Sequence, residues 1–209
     1  MKQYAMRTIL IHGFNVMDGG KQSVGKLKPY LQGEVIVFDY GFAGPFSLPC
    51  ANRRALGQLR ALIRPGDFLV CHSNGSLIGW QIAEELGHIL GGVVTINAAL
   101  RRDTFWYPGL PIFNLHNSTD WVVKYLSRLW GRLYQKDGVK RNGWGAGGYY
   151  GYQTDQAFVT NWDTAAQNWL VPLTGHSGMF AASPELEFWG GVVNDWKQGV
   201  EIQRAYRFS

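Results

Sequence analysis

Residues 67–80, DFLVCHSNGSLIGW, change character at a serine. Before it, Phe68, Leu69 and Val70 are consecutive apolar residues of high β-propensity, which predicts a short buried strand over 67–71. After it, Leu77, Ile78, Trp80, Ile82 and Ala83 have the spacing of one helix face. Between the two patterns, Cys71, Ser73, Gly75 and Ser76 are all small. A strand that becomes a helix within about one residue passes so close to its neighbours that only small side chains fit around the turn. The same geometry strains Ser73 and lifts its hydroxyl to the top of a sheet. A tight strand-to-helix turn without chemistry fits the pentapeptide as well, because loose G-x-S-x-G matches arise by chance.

Working outward, strand-like apolar runs recur at 7–13 (RTILIHG), 34–40 (EVIVFDY), 67–72 (DFLVCH), 92–97 (GVVTIN), 111–117 (PIFNLHN) and 157–163 (AFVTNWD). Their near-continuous apolar character predicts parallel strands covered on both faces. Helices are predicted over 22–31, 51–63, 75–90 and 120–135. A last one, at 184–198, is announced by Ser183-Pro184, a cap residue followed by proline. The alternation predicts a single α/β domain over 1–209: a doubly wound, mostly parallel sheet of about six strands flanked by helices. Ligands of such sheets bind beyond the carboxyl ends of the strands. The segment 136–156, KDGVKRNGWGAGGYYGYQTDQ, breaks the rhythm with glycines and aromatics. It reads either as a functional loop or as a surface loop packed by its own rings.

Composition narrows the classes. Hydrophobic residues at 46% against 17% charged support a sizeable core. The net charge of +5 is mild, and the basic doublets Arg53-Arg54 and Arg101-Arg102 are isolated, so nucleic acid is not an expected partner. Two cysteines, Cys50 and Cys71, make neither a disulfide framework nor a C-x-x-C site, and no metal is expected. No run of about 18 apolar residues exists to span a membrane. The amino-terminal stretch lacks the features of a signal peptide, which makes the cytoplasm the expected location. Oligomeric state is left open.

If Ser73 is a nucleophile, a base, an orienting acid and an oxyanion site must accompany it. Asp120 follows the strand at 111–117 and can orient an imidazole; it can equally cap the helix after it. Asp163, after the last strand, is a rival, and Asp39 and Asp103 are weaker candidates. Of five histidines, His176 sits in a glycine-flanked loop after the final strand, free to reach across the sheet top. His12 and His72 flank turns, His88 lies on a helix and His116 in a strand. Backbone N–H groups of Asn74, at a helix start, and of Phe14, after Gly13, are the candidates for an oxyanion site.

Ser73, Asp120 and His176 occur in the order Ser…Asp…His on successive strand-end loops, and here the chain resembles the α/β-hydrolase superfamily over nearly its whole length. ILIHGFN resembles the family's first conserved strand and oxyanion turn, LVCHSNGS its nucleophile elbow, PIFNLHNSTDWVV its acid strand, and GHSGMF its histidine loop. Cys71 departs from the usual glycine of the elbow, and Asn117 from the glycine of the acid turn, where its tolerance of left-handed backbone would serve. The usual amino-terminal hairpin is missing, and only the 13 residues 98–110 stand where larger members insert a helical lid.

The resemblance implies a serine hydrolase, working through an acyl-enzyme with no cofactor and acting on a small-molecule ester. With no long lid, a carboxylesterase is favoured over a lipase acting at interfaces. Thioesterase, lipase or peptidase chemistry on the same triad stays open, as does a binding module without catalysis. The short connection implies an open site, roofed by 101–109 and the aromatic loop. Trp106, Tyr107, Trp144, Tyr149 and Tyr150 are candidates to line an apolar cleft, or else to pack over the sheet edge.

Overall fold

The structure is a computed structural model, described here for residues 6–14, 16–42, 47–133, 144–154, 156–166, 176–180 and 183–202. Six strands form its centre: β1 (Arg7–Ile11), β2 (Glu34–Phe38), β3 (Phe68–His72), β4 (Gly92–Ile96), β5 (Ile112–His116) and β6 (Val159–Asp163). All neighbours are parallel, in the order β2-β1-β3-β4-β5-β6. The chain winds outward from β1 to β2, then returns to lay β3 on the other side of β1. The strand order thus reverses between β1 and β3, and open α/β sheets take their ligands beyond the carboxyl ends of the strands at such a reversal.

Alternation along the strands builds a core on each face. Ile9, Ile11, Leu69, Cys71 and Val93 point to the side covered by α1 (Leu48–Leu62) and α2 (Gly75–Leu86). Leu10, Val70, Val94, Ile96 and Phe113 point to the other, under a 3-10 helix at Val24–Tyr30 and α5 (Ser183–Lys197). Two further helices lie at the carboxyl edge: α3 (Trp121–Leu133) and the one-turn α4 (Gly147–Tyr150).

The expected strands are all present, each trimmed at its ends. The helices differ more. The predicted helix over 22–31 is a 3-10 helix, with Pro29 inside it unable to donate a backbone hydrogen bond. α1 begins earlier than 51, at Leu48, with Pro49 in its first turn, where proline's fixed φ is preorganised. α2 stops at Leu86 and not at 90, with Gly87 as its C-cap. Of the segment 136–156, residues 136–143 and 155 lie outside the described part. The rest is no free loop, as the site geometry shows.

One buried ion pair fixes the amino-terminal edge. Arg7 Nε and Nη2 donate to the two carboxylate oxygens of Asp67 at 2.8 and 2.5 Å, and Nη2 also reaches the Leu62 carbonyl at 2.7 Å. Both residues are buried, and this bidentate bond ties the start of β1 to the loop that enters β3. Asp67→Ala leaves the Arg7 charge buried without its counter-ion. Unfolding in urea is expected to show a loss of about 3–5 kcal/mol, whereas a loss below about 1 kcal/mol would show that water reaches Arg7.

Candidate active site

Ser73 is the first residue after β3, and its φ is 54°. Only one other non-glycine residue among those described has positive φ: Asn97, at 47°, at the end of the neighbouring β4. Left-handed backbone costs a residue with a Cβ about 1–2 kcal/mol, so surrounding bonds must hold it. Ser73 N–H donates to the Ile96 carbonyl at 3.0 Å, and its own carbonyl accepts from Ser76 at 3.0 Å and Ala99 at 3.2 Å.

Glycines make the turn possible. A Cβ on Gly13 would stand 2.9 Å from Ser73 Cβ, and one on Gly75 would meet the Ile11 and His12 carbonyl oxygens at 2.5 and 2.6 Å. Cys71, in the place where glycine was expected, is accommodated from the facing helix: its Sγ occupies the space beside Gly79. Burial pushes the Cys71 thiol pKa up, so it stays an inert packing group.

His176 Nδ1 donates to Asp120 Oδ2 at 2.7 Å. Asp120 is fully buried, and its other oxygen, Oδ1, accepts the Val123 N–H at 3.0 Å at the start of α3. One carboxylate thus caps the start of α3 with one oxygen and bonds the His176 imidazole with the other. Asn117 builds the turn before it through an Asx bond from Oδ1 to Thr119 N–H at 2.8 Å, and not through the left-handed backbone expected of it.

The rival carboxylates are engaged elsewhere. Asp163 accepts from Ser118 and Ala165 N–H and lies 4.0 Å from His116. Asp39 accepts from Gly41 N–H, and Asp103 pairs with Arg101. With Nδ1–H on Asp120, His176 Nε2 carries the lone pair. No hydrogen bond joins Nε2 to Ser73 Oγ among the described residues; in unliganded sites such bonds are often long and tighten on substrate.

Two residues that sequence reasoning passed over pin the His176 carbonyl: Asn97 Nδ2 at 2.7 Å and His72 Nε2 at 3.1 Å. The His72 ring lies 4.8 Å from that of His176 and edge-on to Phe180 at 4.9 Å. Its burial, reinforced by the neighbouring His176, lowers its pKa to about 3. His72 is thus a neutral donor near pH 7, a strut beneath the site and not a proton carrier.

On the β1 side, the Gly13 carbonyl accepts from Tyr40 O–H at 2.9 Å and from His12 Nδ1–H at 2.9 Å. Tyr40 also lies 3.1 Å from the His12 carbonyl and stacks on the His12 ring at 4.1 Å, 3° from parallel. Asn74 Nδ2 donates to the Tyr40 oxygen at 3.3 Å, and Asn74 and Asn52 exchange amide bonds of 2.8 and 3.2 Å. A trans peptide sets its N–H opposite its carbonyl. Anchoring Gly13 O on Tyr40 and His12 therefore turns the Phe14 N–H away from that network. The Asn74 N–H stands at the amino end of α2, where helix donors lack intrahelical partners. Tyr40 and His12 also went unrecognised, since nothing in their sequence spacing shows that they converge on one carbonyl.

Of the two arrangements open to the aromatics, a cleft lining is ruled out for the buried Trp106. Trp106 is 0% exposed, in the core beside Tyr152 at 5.7 Å. Tyr107 packs against Gly87, at the far end of α2 and about 18 Å along the helix from Ser73. Trp144 pairs with Leu100 in an antiparallel bridge, and Gly145, Gly147 and Gly148 donate to the carbonyls of Ala99, Leu100 and Ala98. Gly148 in turn accepts from Asn117 N–H at 2.8 Å. Residues 144–148 thus form a strip stitched into the carboxyl edge, where close backbone approach demands glycine, and not a roof. Tyr149 receives Lys124 Nζ at 3.0 Å, and Tyr150 lies under Arg102 at 4.8 Å. A cavity of about 480 Å³ lies at the opposite edge of the sheet, walled by Phe68, Pro111, Trp196 and Lys197. Among the described residues no cluster of His, Cys, Asp and Glu could hold a metal ion.

Solved structures share this architecture. The esterase domain of a Rhodothermus marinus protein superposes with a TM-score of 0.51 at 19% identity, covering 94% of this chain and 88% of its own. A monoacylglycerol lipase from Paleococcus ferrophilus gives 0.54 at 14% identity over 92% and 94%. A Pectobacterium atrosepticum protein described as a YdeN-like hydrolase gives 0.54 at 10% identity over 93% and 91%. The chain has the α/β-hydrolase fold. No family model matches it, and no curated protein does. In this fold Ser73 follows β3, Asp120 follows β5 and His176 lies beyond β6.

The Cys71–Gly79 fit can be tested by compensation. A Cβ on Gly79 would stand 2.5 Å from Cys71 Sγ but 3.6 Å from Cys71 Cβ. Gly79→Ala is expected to destabilise by about 1–3 kcal/mol through overpacking. In a Cys71→Ala background the same change should become neutral or stabilising, gaining up to about 1 kcal/mol of helix propensity. Equal losses in both backgrounds, measured by denaturant unfolding, would overturn the packing account.

Proposed function

We propose that the chain is a serine hydrolase that cleaves a carboxylic ester through an acyl-enzyme intermediate. The observation that carries this reading is the Asp120–His176 bond of 2.7 Å, with His176 tied by its carbonyl to His72 and Asn97, the one next to Ser73 in the chain and the other at the end of the neighbouring strand. Ser73 itself is held in left-handed backbone at a strand end. His176 Nε2 takes the proton of Ser73 as Oγ attacks the ester carbonyl. The Phe14 and Asn74 N–H groups receive the developing oxyanion. His176 returns the proton to the departing alcohol, then activates water to release the acid and restore Ser73. Asp120 holds the imidazole in the required tautomer and supports its positive form. Thioester and amide cleavage would use the same groups, and acyl preference distinguishes them.

Intact-mass labelling with a fluorophosphonate tests the nucleophile. One adduct is expected on the native chain and none on Ser73→Ala; no adduct on folded native protein would make this a binding module. With a p-nitrophenyl short-chain ester, His176→Ala and Asp120→Asn should each lower kcat by on the order of 10⁴-fold. Asp163→Asn should leave it near native; the reverse pattern would transfer the acid role to Asp163.

The Tyr40 anchor gives a separate readout. Tyr40→Phe frees the Gly13–Phe14 peptide to rotate, so kcat should fall by about 10²-fold while KM stays within about twofold. An unchanged kcat would show that His12 alone fixes the peptide.

A further inference from the structure

α3 begins one residue after Asp120, and its packing is one-sided. Val123 and Ser127 are buried, and Ser127 Oγ donates to the Gly145 carbonyl at 2.6 Å, which seats the helix on the strip beside α4. The opposite side carries Trp121, Tyr125 and Leu129 at four-residue spacing, 60%, 60% and 49% exposed, with Leu126 next to them also exposed. Four-residue spacing places the three side chains in one stripe along the helix. Single exposed apolar residues are ordinary, but a contiguous stripe of large ones marks an interaction surface.

Charge selects the partner. The helix sequence contains Lys124, Arg128 and Arg132 and no Asp or Glu. Two copies meeting through this face would bring like charges together. An acidic lipid surface supplies the opposite charge, and its acyl boundary accepts the rings and leucines. Basic residues beside a Trp/Leu face are the composition of helices that lie in the plane of a membrane interface, and Trp and Tyr favour headgroup depth. The placement is also apt. Met17, 89% exposed, and Phe42, 50% exposed, follow the carboxyl ends of β1 and β2 within six residues, as Trp121 follows β5. Exposed apolar side chains thus flank Ser73 on both sides of the sheet's carboxyl edge. No helix among the described residues is long and apolar enough to cross a membrane, so the contact is peripheral.

We propose that the outer face of α3 docks the protein on an anionic phospholipid surface, with the Ser73 edge turned toward the lipid. The docking stands without the hydrolase reading; the corollary, that the ester is presented in that surface, rests on it.

The test uses full-length Ser73→Ala protein, which separates binding from turnover. It is co-sedimented with vesicles of phosphatidylcholine alone or mixed equally with phosphatidylglycerol. Binding to the anionic vesicles is expected, weakened at least about tenfold by Trp121→Ser/Leu129→Ser and by 0.5 M salt, on the order expected for lost apolar and electrostatic attraction. Tyr125→Ser alone, or Arg128→Glu, should weaken it in the same direction if the double variant does not fold. Absence of sedimentation with either vesicle, or binding indifferent to these substitutions, overturns the proposal. A native dimer in light scattering that the stripe variant dissociates also overturns it and assigns the face to a second copy. Fluorophosphonate labelling of the native chain reports on the hydrolase reading independently of every one of these outcomes.

Discussion

The carboxyl ends of β1 and β3 lie so close that no side chain fits between them. Gly13 faces Ser73, and Gly75 faces the carbonyls of Ile11 and His12. Both the strained serine and the turn opposite it exist because the two backbones meet at the reversal of strand order. Everything else at this edge serves that approach. The turn at Ser73 keeps its shape through bonds to the end of β4, the helix behind it makes room for Cys71 with Gly79, and the strip 144–148 closes the next gap with glycines of its own. Crowding, more than any single bond, decides which residue types occur here.

Crowding carries a polar cost, and buried side chains meet it. The backbone carbonyls of His12, Gly13 and His176 accept hydrogen bonds from buried side chains. Tyr40 and His12 serve the first group; Asn97 and His72 serve the last. Each donor is neutral, so none brings a charge beside the site: burial lowers the pKa values of His12 and His72 and raises that of Tyr40. The two loops that flank Ser73 are therefore oriented through their carbonyls.

Much of this was legible in the chain. The six apolar runs became the six strands because nearly continuous β-branched segments have no other place to be buried. Ser73 could be picked out because a change of period flanked by small residues has few structural explanations. Asp120 and His176 were readable as candidates from their place after strands, and their contact is tertiary information. What escaped were groups whose meaning depends on convergence across the sequence. Tyr40 is 27 residues from Gly13, and Asn97 is 79 from His176. Aromatic content misled for a related reason. Trp106 has the composition of a cleft wall, but a large ring next to a sheet gains more from burial than from lining a mouth. The end of α2 was overrun because helix spacing continues past Leu86, and Gly87, whose backbone is still right-handed helical, gives no left-handed stop there.

The positive φ of Ser73 and of Asn97 has a consequence for how such a protein would change under selection. Glycine adopts that backbone without a Cβ clash, so backbone strain alone favours it at 73, whereas at 97 the Asn97 amide offsets the strain through its 2.7 Å bond to the His176 carbonyl. A lineage sorted only by thermal robustness would drift toward glycine at 73, shedding the hydroxyl with the strain, and would keep the amide at 97. A serine that stands where the backbone resists it is what is expected of a residue retained for something other than stability.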